Sequence, residues 1–437
     1  MTDVAILGSG MAGIGASYRL RQQGVRHACY DQSERPGGHT RSHADAQGFT
    51  FDEGPHISFS KDERVKAVLA ESVHGDYVAF SARVNNYWKG QWIKHPAQCN
   101  LHGLPTELVV KIIEDMYAAR AESRTPANYE EWLVASFGRT FAETFPMRYG
   151  HKYHTVEAKF MSLDWLGPRL YKPSMAEVLT GALTAATPEV HYIQDFRYPA
   201  HGGFESYLKS FHAAMTIHRS HRLDQLDPKA RVMTFNTGES VRYERLISSI
   251  PLPELIKRIP SAPPDVVAAA AKLTCSICVA VNVGLDRADI SDWHWTYFYD
   301  DDFAFSRLSF PHMFAPANVP AGMGSIQAEV YFSDKYKPLT DTPEQVTSRV
   351  VNDLRRCGLI RDTDRIVTTS AIVIPYANVI FDLDRAPALE VVQGYLEDVG
   401  IQCCGRYGEW GYLWTDESFM SGERAADRAL AMTPTGV

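Results

Sequence analysis

Three glycines set the first chemical expectation. Gly8, Gly10 and Gly13 form GxGxxG directly after the apolar run Val4–Leu7, and Asp31 follows at the end of the next apolar stretch. In such a pattern the first glycine allows a tight turn and the second lets the backbone approach a pyrophosphate. The third permits close helix–strand packing, and the helix amino terminus faces the phosphates. An acidic side chain at the position of Asp31 can accept hydrogen bonds from ribose hydroxyls. The expected ligand of this end of the chain is a dinucleotide. A further anionic group would need fixed positive charge, which guanidinium forks supply by holding phosphate oxygens bidentately, and tyrosine hydroxyls add neutral donors able to follow the developing charge of a leaving group.

These residues need elements to place them. The opening reads as strand Val4–Leu7, turn Gly8–Ser9–Gly10, helix Met11–Gln23 closed by Gly24, and strand Val25–Tyr30. Within a helix-rich stretch from Lys61 to about Thr187, amphipathic spacing predicts helices over Leu108–Ala121 and Tyr129–Phe145. A hairpin is predicted around Val232–Thr237 and Ser240–Tyr243, followed by a buried strand Arg245–Ile250 ending at Pro251. From Leu273 to Tyr331 the pattern is strand-like and aromatic. Thr342–Cys357 reads as a helix, Arg365–Ile374 as a strand, and the terminal helix starts near Ser418. The alternation predicts an α/β fold with a discontinuous Rossmann-type dinucleotide-binding domain, built from residues 1–60, 200–262 and 395–437. A mainly helical substrate-binding insertion (61–199) and a sheet-containing, mixed-sheet region (263–394) complete it.

Composition narrows the classes. A chain of 437 residues is too long for one compact core, and 45% hydrophobic with 22% charged residues is ordinary for a soluble protein. The net charge of -8 gives no footprint for nucleic acid, so an anionic substrate must be held by local arginines. Met1 runs almost directly into an apolar strand, leaving no room for a signal peptide, and no uninterrupted apolar run is long enough to span a bilayer. Seven scattered cysteines suit a reducing cytoplasm, the expected location. The Cys275–Cys278 pair lies in an apolar run and reads as strand rather than zinc ligand, and Cys403–Cys404 reads as core. His191, His201, His212, His218 and His221 lack carboxylates at ligand spacing, and no metal is expected. Asp300–Asp301–Asp302 reads as a solvated turn. No second complete GxGxxG is present, so NAD(P)H, if used, is a transient reductant.

Three further stretches point to a family. Arg35–Pro36–Gly37–Gly38–His39–Thr40 and Phe51–Asp52–Glu53–Gly54–Pro55–His56 follow Asp31, and Gly405–Arg406–Tyr407–Gly408–Glu409–Trp410–Gly411–Tyr412 lies near the carboxyl end, before Asp416 and Gly422. This arrangement resembles the FAD-dependent superfamily of amine oxidases, protoporphyrinogen oxidases and UDP-galactopyranose mutases. Within it the chain is most similar to the longer, eukaryotic type of mutase. Trp165–Leu166–Gly167–Pro168–Arg169 matches a Trp-Leu-Gly-x-Arg motif, and Phe196–Arg197–Tyr198–Pro199 with Gly202–Gly203 matches a Phe-Arg-aromatic-Pro run. Tyr297 and Arg307 match the spacing of a tyrosine and an arginine that hold the substrate diphosphate.

The resemblance implies FAD, contacted at Gly8, Gly10, Met11, Ala12, Gly13, Asp31, Gln32, Gly37, Gly38, His39, Thr40, Gly54, His56, Leu223, Arg406, Tyr412, Asp416 and Ser418. It implies catalytic roles for His56, Arg169 and Arg307, with substrate contacts at Gln98, His154, Tyr297, Asn378 and Tyr412. The implied activity is pyranose–furanose isomerisation of a nucleotide-diphosphate sugar through an adduct at flavin N5. Departures limit the match. His154 stands where the mutases stack a tryptophan on uracil, His95 and Ala97 replace aromatic residues, and Asn378 replaces a tyrosine. Base–aromatic stacking contributes about 1–3 kcal/mol per base, so the expected substrate is not strictly UDP-galactose. A second reading stays open: an FAD-dependent oxidase or dehydrogenase acting on an amine, an alcohol or a sugar.

Overall fold

The computed structural model describes residues 2–121, 125–167, 170–188, 190 and 193–432. Its first sheet grows from the predicted opening. Strand Thr2–Leu7 pairs in parallel with His27–Tyr30 on one side and with the second half of Ser240–Ser248 on the other. Ile217–His218 and Ile401–Cys403 extend this parallel core at its two sides. Strands Leu223–Asp227 and Val232–Phe235 add an antiparallel flap to the first half of Ser240–Ser248. Val4, Ala5 and Ile6 are completely buried, as expected of a parallel strand covered on both faces.

The expected break between Ser240–Tyr243 and Arg245–Ile250 does not exist. One strand, Ser240–Ser248, runs through both and changes partner along its length, antiparallel at Val241 and parallel at Ile247. The expected helix Tyr129–Phe145 is two helices, Tyr129–Phe137 and Arg139–Thr144, divided at Gly138. Gly138 has φ 73°, and a Cβ there would lie 2.6 Å from the backbone of Asp115, so the break follows from a neighbouring helix.

The second sheet runs Ile366–Ile374, Ile277–Leu285, Gly324–Phe332, Arg307–Ser309, Trp295–Phe298, Val84–Trp88 and Gln91–Lys94. All its pairings are antiparallel except Trp295–Phe298 with Val84–Trp88. Cys278 sits in the strand Ile277–Leu285 and Cys275 just before it. Helix Met11–Gln22 packs on the last helix, Thr415–Ala431, backbone to backbone. A Cβ on Gly15 would lie 1.9 Å from the Phe419 carbonyl oxygen, and one on Gly422 would lie 1.9 Å from that of Ala12. The last helix starts at Thr415, earlier than expected, with the Trp414 N–H donating to Glu417 Oε2 at 2.8 Å. Among the described residues no helix is long and apolar enough to cross a membrane.

Candidate active site

A cavity of about 570 Å³ lies between the two sheets and draws its wall from both. At one part of the wall the two glycine stretches face each other. Gly8 has φ 95°, which favours glycine, and a Cβ on Gly10 would stand 3.6 Å from both the Gly37 oxygen and Gly38 Cα. A Cβ on Gly13 would lie 2.0 Å from the Gly8 carbonyl oxygen, so Gly13 serves the packing of the turn and is absent from the wall. Met11, Ala12, Gln32, Gly37, Gly38, Thr40, Gly54 and Leu223 all line the cavity.

Asp31 lies on the same wall, nearly buried. Its Oδ2 accepts the Ser9 N–H at 2.9 Å and the Ser9 hydroxyl, while Oδ1 accepts the Ser33 N–H at 2.8 Å. The carboxylate thereby ties the end of the second strand to the glycine turn. Below it, buried Glu53 gathers three bases: Arg41 Nη2 at 2.9 Å, His43 Nε2 at 3.0 Å and His39 Nδ1 at 3.5 Å. Burial alone would raise the Glu53 pKa, but hydrogen bonds from His39 and His43 and the Arg41 charge outweigh it, and the carboxyl is held below its usual range. His56 places Nδ1 2.8 Å from the Gly54 carbonyl oxygen, and burial pushes its pKa down to about 4. It is a neutral ring on the wall, suited to packing rather than to carrying a proton.

The opposite wall comes from the second sheet. Arg307 and Glu329 are directly opposed across neighbouring strands, and Arg307 Nε and Nη2 both donate to the Glu329 carboxylate, the latter at 2.9 Å. The Tyr331 hydroxyl donates to Glu329 Oε1 at 2.7 Å. Burial works against the Arg307 charge, but the Glu329 charge outweighs it and keeps the guanidinium protonated. Tyr297, Tyr153 and Tyr412 share this part of the cavity, with the Tyr153 and Tyr412 hydroxyls 3.1 Å apart. Burial raises the Tyr153 and Tyr297 pKa values, so both phenols remain donors at neutral pH.

Arg406 enters from the closing turn. Its Nε donates to the Leu413 oxygen at 2.8 Å, and Nη1 donates to the Ala377 oxygen at 3.2 Å and to Asn378 Oδ1 at 3.1 Å. Among the described residues no carboxylate pairs with it. A guanidinium enclosed by carbonyls on a cavity wall fits an anionic group in the cavity. Together with the glycine cradle, which any side chain would obstruct, this fits a flavin dinucleotide. Trp414, Thr415 and Ser418 bring the start of the last helix to the same cavity.

Besides Gly13, three expected contacts do not reach the wall, and one residue falls outside the described chain. Gln98 turns its amide to the Tyr171 carbonyl oxygen at 2.9 Å. His154 is buried between Tyr153 and Trp165, with ring centroids 4.8 and 5.0 Å away. Among the described residues its Nδ1 has no hydrogen-bond partner, and burial lowers its pKa to about 3. Asp416 lies in the first turn of the last helix and is not among the lining residues. Asn378 lines the cavity but serves Arg406. Arg169 lies outside the described residues.

Sequence reasoning missed Glu329, Tyr331 and Tyr153. A signal for the first two existed: in Gly324–Phe332, Gln327, Glu329 and Tyr331 alternate on one face of an otherwise apolar strand, and a charged residue in such a run marks a functional or paired position.

The glycine cradle and the arginine–tyrosine wall, set on one cavity, mark a flavoenzyme. The chain belongs to the family described as flavin containing amine oxidoreductase, whose model matches residues 11–430. Among solved structures it is similar to a reduced UDP-galactopyranose mutase, with a TM-score of 0.93 and 25% identity over 99% of this chain and 96% of that one. It shares its fold with a putative protoporphyrinogen oxidase from an Exiguobacterium species, at TM-score 0.75 and 16% identity over 98% of each chain. A double mutant of putrescine oxidase matches at TM-score 0.67 and 16% identity over 99% of each chain.

Proposed function

We propose that the chain is an FAD-dependent mutase that interconverts pyranose and furanose forms of a nucleotide-diphosphate sugar, and that its substrate is not strictly UDP-galactose. One observation carries this reading. Beside Tyr153, Tyr297 and Tyr412, two half-buried guanidiniums, Arg307 and Arg406, line the cavity, and among the described residues Glu329 is the one carboxylate bonded to either. Such a wall suits a diphosphate and opposes a protonated amine, the substrate form an amine oxidase would meet at neutral pH. The similarity to the reduced mutase over nearly the whole chain supports the same reading.

In this proposal Gly8, Gly10, Gly37 and Gly38 admit the FAD pyrophosphate, Asp31 and Gln32 receive the ribose, and neutral His56 packs beside the ring. When bound and reduced, the flavin would supply an electron-rich centre able to form a bond to the anomeric carbon as the diphosphate leaves. Arg307, Tyr297 and Tyr412 hold the diphosphate as the anomeric C–O bond breaks, and keep it in place for the return. Arg169 is proposed as a second clamp on the same group. The FAD unit is proposed as the discontinuous assembly of 1–60, 200–262 and 395–437. NAD(P)H, if used, acts only as a transient reductant.

The placement of Gln98 and His154 away from the cavity favours a second reading, since neither can support a nucleobase there. In it, the protein is an FAD-dependent oxidoreductase acting on an amine, an alcohol or a sugar. Anaerobic mixing separates the two. Dithionite-reduced protein should convert UDP-sugars between ring forms without consuming reductant in proportion to product, and the oxidised protein should stay yellow with them. Bleaching of the oxidised flavin by a substrate alone would replace the mutase with the oxidoreductase.

A further inference from the structure

The turn 405–412 carries Arg406 and Tyr412 to the cavity, and its middle is held from outside. Trp410 is completely buried and has φ 50°, a left-handed conformation unfavourable for a residue other than glycine. Its carbonyl oxygen accepts from Arg385 Nε at 3.0 Å and also from Arg385 Nη2. Arg385 is the first residue of helix Arg385–Asp398, and its guanidinium carbon lies 4.0 Å from the Phe381 ring centroid. Burial and the helix end both work against a cation at that position. Burial lowers the Arg385 pKa, the charges of Asp164 and Asp382 only partly offset it, and the helix dipole presents its positive end. Among the described residues no carboxylate bonds to this guanidinium.

What Arg385 achieves there is a grip on one backbone carbonyl. The same helix grips the preceding one, for Gln393 Nε2 donates to the Glu409 oxygen at 3.3 Å. Phe381, which carries the guanidinium on its face, has its ring centroid 6.5 Å from that of Tyr412. Arg385 itself is absent from the cavity wall.

We propose that Arg385 is a positioning residue: through the Trp410 carbonyl it sets the turn that presents Arg406 and Tyr412 to the flavin and to the anionic substrate. The inference rests on the flavin-site reading above, and the measurements keep the two separable. Holoprotein variants Arg385→Met and Arg385→Lys are compared with wild type by melting temperature, by the rate of flavin loss on dialysis, and by UDP affinity read from flavin fluorescence. Methionine removes a buried charge but leaves the Trp410 carbonyl without these donors, so the melting temperature should change by no more than a few degrees. Flavin loss should quicken, and UDP binding weaken, by about tenfold, the loss of one charge-assisted hydrogen bond. Lysine should fall between the two.

Flavin retention and UDP affinity within twofold of wild type in Arg385→Met overturn the proposal. So does a melting temperature that falls in step with flavin loss while lysine rescues nothing. If the methionine variant does not fold, Arg385→Lys and Gln393→Met are judged by the same rule. If wild type ignores UDP, the nucleotide reading fails by itself and the rate of flavin loss decides the role of Arg385.

Discussion

The two walls of the cavity are built on opposite physical principles. The glycine cradle is held by backbone lying against backbone, with Gly13 over the Gly8 carbonyl and Gly15 and Gly422 letting two helices touch. The facing wall is held by long side chains whose charges and hydroxyls are satisfied on each other, Arg307 on Glu329 and Glu329 on Tyr331. An added methyl group should therefore be ruinous in the first and tolerable in the second, whereas a removed charge should be the reverse. The first region recognises shape; the second recognises charge.

The largest effect expected lies in the charged wall. Glu329→Leu strands the Arg307 guanidinium in a buried site and should cost about 3–5 kcal/mol in denaturant unfolding. Pairing it with Arg307→Met should restore stability to within about 1 kcal/mol of wild type, although substrate binding would be lost. Equal losses from the single and double variants would mean that packing, not charge, holds this wall.

The cradle should answer to methyl groups, and differently at two positions. Gly13→Ala drives a Cβ to within 2.0 Å of a backbone oxygen and should destabilise by about 1–3 kcal/mol. Gly10→Ala meets its nearest atoms at 3.6 Å, so the fold should remain while the methyl obstructs the space between the glycine turns. Its melting temperature should match wild type within a degree or so, about what ±0.5 kcal/mol permits, yet the protein should purify nearly colourless. A yellow Gly10→Ala protein would show that the cofactor does not pass between the two turns.

The most gradual expected effect concerns pH. His154, its pKa lowered to about 3 by burial, stays neutral in the folded protein while the unfolded chain protonates near the ordinary histidine value. The unfolded state therefore binds the extra proton as pH falls below about 6.5, and stability drops there by about 1.4 kcal/mol per pH unit for each such histidine. Asp52, raised to about 6 by burial despite hydrogen bonds from Ser42, Tyr198 and Phe204, acts in the opposite sense. Its contribution is present at low pH and is lost as pH rises through about 6. The test is therefore the difference between variants. His154→Phe should be less sensitive to acid than wild type between pH 6 and 4, by about one proton's slope. Parallel profiles would mean that His154 is not buried in its neutral form.

Much of the cradle was legible because its chemistry is local. Gly8, Gly10, Gly13 and Asp31 belong to one βαβ stretch, and the helix Met11–Gln22 and its flanking strands follow from periodicity and the Gly24 stop. Boundaries failed where a distant partner decided them. The break at Gly138 depends on Asp115, and the continuity of Ser240–Ser248 depends on Thr2–Leu7, hundreds of residues away. The resemblance implied substrate contacts for His154 and Gln98, but burial against Trp165 and a bond to Tyr171 turn them elsewhere.

The amino-acid order by itself determined the dinucleotide turn, the α/β class and the family, because short-range spacing and backbone freedom suffice for these. Only the tertiary structure decided that Arg307 would meet Glu329, that Arg406 would reach the cavity wall bonded to backbone and Asn378 oxygens, and that Arg385 would hold Trp410. Each of those depends on which strands become neighbours and which charges lose their water. That outcome belongs to the packing of the whole chain and to no single stretch of it.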